Sequence, residues 1–175
     1  MQSVIDFNES RKLEAKKKLN AYVLKYKTNF IFPENHWDDS IWDITDFLKN
    51  KIRSHKSQRV HFRSYSDESK AKSIVEKPIS KPLIDFVKAT FCEIMLTKKL
   101  IEPRRIIYAF QALEHALQKQ NREICVNEIN IETLSLAEAY LLSRFQDAWS
   151  VAKNLENIIN NIIIAKDLNT EIFPW

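Results

Sequence analysis

Not one of the 175 residues is glycine, where a typical chain has about 7%. Glycine is the residue that reaches positive φ without steric penalty, so two-residue hairpins must rely here on Asn or Asp. Gly-rich phosphate loops and dinucleotide fingerprints are excluded outright. The expected fold is mainly α.

Hydrophobic residues make up 45% and aromatic residues 11%, enough at this length for a substantial core in one domain or a domain with an appendage. Cys92 and Cys125 match neither zinc-ligand nor disulfide spacing, and Cys92, among apolar neighbours, reads as a small buried hydrophobe. His36 beside Asp38 and Asp39 lacks the defined spacing of a metal site. No apolar stretch approaches the ~18 residues that span a bilayer, and the N-terminus lacks the order of a signal peptide. The chain is therefore expected to be soluble and cytoplasmic, with no metal, cofactor, membrane or small-molecule substrate.

Charge is unevenly divided. Residues 1–122 carry 24 Lys plus Arg against 15 Asp plus Glu, a balance of +9, whereas residues 123–175 carry 3 against 8, a balance of −5. A basic front of this kind suggests a polyanionic partner.

From Ser10 to Lys27, Leu13, Leu19, Tyr22, Val23 and Tyr26 recur near helical spacing, with lysines around the rest of the wheel. A short helix capped by Asp39 or Ser40 is expected next, with Ile41, Ile44, Phe47 and Leu48 inward and Trp37 and Trp42 in a small core. The most basic stretch follows, with Lys49, Lys51, Arg53, Lys56, Arg59 and Arg63 and no intervening acid. Within it RVHFR alternates apolar and polar residues, which predicts an exposed extended segment or a short β-ribbon. Phosphate contact and a solvated linker are both consistent with that composition.

Pro78 and Pro82 mark a boundary between a basic extension, 1–78, and a helical domain, 79–175. Four helices are predicted in the latter. The first, about 81–97, has Phe86, Ala89, Ile94 and Met95 inward, and the second, 103–120, has Ile106, Phe110, Leu113 and Leu117. The third, 131–143, has Leu134, Leu141 and Leu142, and Thr133 is a candidate local cap. The last, 147–166, has Trp149, Ala152, Leu155, Ile159, Ile162 and Ile163 on one side and an asparagine-rich opposite side.

The second helix raises a question of charge. Pro103 suits its first position, which puts Arg104 and Arg105 in the first turn, behind Lys98 and Lys99. The helix N-terminus behaves as roughly +0.5 charge, so a cation there forfeits about 0.3–1 kcal/mol relative to a carboxylate. A docked phosphate turns that arrangement into a binding site; the alternative is pairing with Glu102 or another surface acid.

The runs KPLIDFVKATF, EPRRIIYAFQALEHALQ and FQDAWSVAKNLENIINNII, with the ending IFPW, resemble the core-binding domain of a large tyrosine recombinase of the phage-integrase type. The shared features are Phe86, Lys88 and Ala89, then Ala112, Leu113 and Glu114, then Leu155 and Glu156, over about residues 80–175. The resemblance implies a four-helix SAM-like bundle on one side of double-stranded DNA, with a separate catalytic domain or other recombinase subunits as partners in DNA recombination and integration. It implies DNA contact by Lys98, Lys99, Arg104 and Arg105, joined by the basic stretch from Lys49 to Arg63.

The family's tyrosine nucleophile with its spaced Arg and His set is not recognisable around Tyr22, Tyr26, Tyr65, Tyr108 or Tyr140. No catalysis is therefore expected, and the chain reads as a fragment, a truncated product or a stand-alone relative. Gln111, Gln118 and Gln120 are candidates for adenine readout, although exposed glutamines more commonly read nothing. The competing class is a helical protein-interaction module that assembles with another subunit.

Overall fold

The computed structural model describes residues 2–48, 58–65, 76–97 and 102–172. Helix α1 (Gln2–Thr28) is followed by strand β1 (Ile41–Asp43) and a single turn of helix, α2 (Thr45–Leu48). Three short strands come next, β2 (Arg59–His61), β3 (Arg63–Tyr65) and β4 (Glu76–Pro78). Helices α3 (Leu83–Thr97), α4 (Pro103–Lys119), α5 (Ile131–Arg144) and α6 (Ala148–Ile158) complete the chain, with α6 continuing as a π-helical segment over Ile159–Ile164. No helix among the described residues is long and apolar enough to cross a membrane.

The four C-terminal helices fall close to the expected ranges because their apolar periodicity is strong. Ile106, Phe110, Leu113 and Leu117 are all fully buried, making α4 the centre of the bundle against α3, α5 and α6. Helix α5 starts with a capping box: Asn130 accepts from the Thr133 backbone at 2.8 Å, and the Thr133 hydroxyl accepts from the Asn130 backbone at 3.2 Å. Thr133 thus shares the capping role expected of it with Asn130.

Four inward assignments are corrected, one of them Ile41, at 43% exposed. Leu13, Leu142 and Trp149 are 56%, 68% and 71% exposed. Helix α1 buries Tyr22 and Tyr26 as expected, together with Ala15, and α5 buries Leu134 and Leu141 as expected, together with Ala137. In α6 the buried line is Ala148, Val151, Leu155 and Ile158. At about 100° per residue, Trp149 lies roughly 120° from Leu155 and so falls off that stripe.

The segment before α3 departs further from expectation. Instead of one helix carrying Ile41 and Ile44, residues 41–43 pair antiparallel with β2, Trp42 opposite Val60, and only Thr45–Leu48 is helical. Asp43 ends the strand by accepting from the Thr45 backbone at 3.0 Å and from its hydroxyl, and these bonds hold its carboxyl below the usual range. Strand β3 pairs antiparallel with β4. Phe62 links the two ladders, donating to Ser40 at 2.9 Å and accepting from Ile79 at 3.3 Å.

Side chains on both sides of residue 78 share one core. Trp42 meets Phe62 and Phe91 at centroid separations of 4.5 and 6.2 Å, and Tyr22 meets Phe86 at 5.8 Å. The composition boundary near residue 78 therefore does not interrupt the packing. Lys88, only 2% exposed, reaches from α3 to the carbonyls of Trp37 and Asp39 and lies over the Trp42 and Phe62 rings. Trp37 and Trp42 are both buried, as expected, and Trp37 donates to Asp85 at 2.9 Å. Burial pushes the Cys92 thiol up to about 12, which suits an inert apolar position.

Tyr22, in contact with Thr90 and Glu93, is held by burial well above the usual tyrosine range, and burial lifts Tyr26 to about 12. Both phenols keep their protons in the folded protein after the unfolded chain has begun to lose them near pH 10, so stability is lost as pH rises above about 10. In urea titrations between pH 9 and about 11.5, Tyr22→Phe should remove up to about 1.4 kcal/mol of that loss per pH unit. Parallel pH profiles for the two proteins would refute the assignment.

Candidate anion-binding cleft

The alternation in RVHFR decides where its charges go. Val60 and Phe62 are 2% and 0% exposed, so the intervening Arg59, His61 and Arg63 fall on the opposite face of the strand. That face meets α4, where Arg104, Tyr108 and Gln111 follow at spacings of four and three along one side. The Gln111 carboxamide donates to the Arg63 carbonyl and fastens the strand to the helix.

Together these residues line a half-open cleft of about 270 Å³, bounded by Arg59, His61, Arg63, Arg104, Tyr108 and Gln111, with no carboxylate among the described residues of its lining. This is smaller than the ~300–1,000 Å³ of a drug-sized ligand site and suits a phosphate or phosphodiester link. Arg59 also approaches Asp43, at 3.5 Å. None of the ion pairs among the described residues involves Arg104.

His61 Nδ1 and Gln111 Oε1 are buried and form no hydrogen bond among the described residues. Burial, then Arg63, Arg104 and Arg59, depress the His61 pKa. An anion among the three guanidinium groups would reverse that repulsion and favour the imidazolium.

The two arginines of the α4 first turn part company. Arg104 enters the cleft, whereas Arg105 pairs with Glu102 at 2.8 Å and with Asp147 at 2.6 Å. Asp147 is the N-cap residue of α6, so Arg105 ties the starts of two helices together. Arg105, expected as a DNA contact, is thus engaged by two carboxylates within the molecule. Glu102 makes no side-chain cap on α4.

Of the other expected contacts, Arg59, Arg63 and Arg104 come together, while Lys49, Lys51, Arg53, Lys56, Lys98 and Lys99 lie outside the described residues. Part of the charge asymmetry is neutralised within the molecule, since Lys12 pairs with Glu171 at 2.9 Å and Lys18 with Asp167 at 3.1 Å. Gln120 is engaged with Thr133 and Asn130 beside the α5 cap, and Gln111 is 4% exposed; only Gln118 remains exposed. Sequence reasoning passed over His61 and Tyr108 as site residues. The period-2 alternation could have joined His61 to Arg59 and Arg63, but nothing local in the sequence pairs that strand with α4.

Comparisons with protein-family models, curated proteins and solved structures find no match to this chain.

Proposed function

We propose that this chain is a non-catalytic nucleic-acid-binding module that holds the sugar-phosphate backbone of duplex DNA in the arginine cleft. The observation that carries the reading is the convergence of Arg59, Arg63 and Arg104 from β2, β3 and α4 in one cleft, with no carboxylate among the described residues that line it. Guanidinium groups bind phosphate through paired, charge-assisted hydrogen bonds and give affinity without sequence readout. The resemblance to the core-binding, SAM-like domain of integrase-type tyrosine recombinases supports the finer form, in which a catalytic domain or further subunits complete the clamp.

The test is binding of a labelled duplex as a function of salt and pH. Affinity should fall steeply with salt and tighten as pH falls through the His61 range, because a bound anion would offset the arginine repulsion that now lowers the His61 pKa. His61→Gln should flatten the pH dependence and leave most of the salt dependence. Absence of duplex binding at low salt would defeat the reading.

A second reading, a helical module assembling with another subunit, draws on Phe7 and Leu13, 62% and 56% exposed on α1. It predicts self-association or partner capture lost on Leu13→Asp, with no salt-sensitive DNA binding.

A further inference from the structure

The side chain whose position departs furthest from its sequence pattern is Trp149. At 71% exposure it is the most open of the large apolar side chains among the described residues, standing at the start of α6 where the apolar stripe does not need it. The Lys153 ammonium lies 4.5 Å from the centre of its ring. Trp149 and Lys153 line a second cleft of about 600 Å³ together with Arg105, Ser150, four asparagines (Asn154, Asn157, Asn160 and Asn161) and one carboxylate, Glu156.

This surface is chemically specific. A largely exposed indole with a cation over its ring and several carboxamides nearby suits a flat, polar, π-bearing ligand carried on a polyanion. Indole supplies the stacking surface, carboxamides offer both donors and acceptors to a base edge, and Lys153 adds attraction for phosphate. An apolar helix docking here would desolvate the carboxamides without satisfying them.

The two clefts flank the same helix start. Arg104 lines the first and Arg105 the second, and consecutive Cα atoms lie about 3.8 Å apart. A strand crossing the first turn of α4 would pass from the cleft lined by Arg104 to the one that Arg105 shares with Trp149.

We propose that Trp149 is a stacking platform for an unpaired nucleobase, with its strand's phosphates held in the arginine cleft. The inference rests on the phosphate reading of that cleft and extends it, because a base within an intact duplex cannot present its face to a side chain. The module would then prefer DNA with an opened or single-stranded portion.

The experiment compares three labelled probes of about twelve units, an oligothymidylate, an abasic strand and a duplex, against the wild-type chain, Trp149→Ala and Arg104→Ala. The wild type should bind oligothymidylate roughly 5- to 100-fold more tightly than the abasic strand, the range expected for loss of base-aromatic stacking. Trp149→Ala should erase that preference and leave the abasic and duplex affinities unchanged. Arg104→Ala should weaken all three probes.

Equal wild-type affinities for oligothymidylate and the abasic strand, both weakened by Arg104→Ala, would overturn the stacking site while sparing the phosphate cleft. A base preference that depends on Trp149, with the affinities for all three probes unchanged by Arg104→Ala, would support stacking and remove the phosphate reading. Failure of every probe to bind would overturn both.

Discussion

Lys88→Met is expected to lower the stability of the protein by about 2–5 kcal/mol, which for a chain of this size is a fall of roughly 5–15 °C in melting temperature. Methionine fills nearly the same volume and needs no solvation, and replacing a buried ion pair with apolar groups can be neutral. Here, however, the acceptors are the backbone carbonyls of Trp37 and Asp39, which stay in place when the ammonium is gone. Each unsatisfied carbonyl costs about 1–3 kcal/mol, and the contacts with the Trp42 and Phe62 rings are lost as well. The consequence reaches the cleft, since Trp42 and Phe62 back the strand that carries Arg59 and His61. Calorimetry and duplex binding should therefore decline together, whereas Lys81→Met at an exposed position should change neither. A Lys88→Met protein that melts with the wild type would remove this lysine as the anchor.

Removing Arg59 and Arg104 together should weaken duplex binding by about 100-fold or more, taking about 1.5–3 kcal/mol for each charged hydrogen-bonding group. The slope of log affinity against log salt should shrink by about 2, one for each phosphate contact removed. Neither guanidinium is buried in the core, so the melting temperature should hardly move. Arg105→Ala should behave in the opposite sense. Its bonds to Glu102 and Asp147 are half-exposed, so stability should fall by no more than about 1 kcal/mol while duplex affinity stays near wild type. Equal losses of affinity for Arg104→Ala and Arg105→Ala would contradict the geometry, because only one of the two side chains faces the cleft.

Much of the architecture was legible because helical burial is periodic. Ile106, Phe110, Leu113 and Leu117 announce α4 and all four are buried. Where a strand and a short helix compete over few residues the pattern is weaker: Ile41 and Ile44 fit one helical face, but pairing with residues 59–61 makes residues 41–43 extended. Leu13, Leu142 and Trp149 were misplaced by treating every apolar residue near a stripe as part of it, when only the neighbouring element decides which side is covered. Half of the candidate site was likewise visible, as a basic run and an arginine pair, without any indication that Arg59, Arg63 and Arg104 converge.

What the sequence determined by itself was helical content, the α4 stripe and the two-faced character of RVHFR, because these follow from local periods of 3.6 and 2. Only the tertiary structure decided that the charged face of that strand meets Arg104 while Arg105 turns to Glu102 and Asp147. The physical reason is that charges pair through space: Asp147 lies 42 positions beyond Arg105 in the chain, and no local pattern carries its position at the start of α6 to the start of α4.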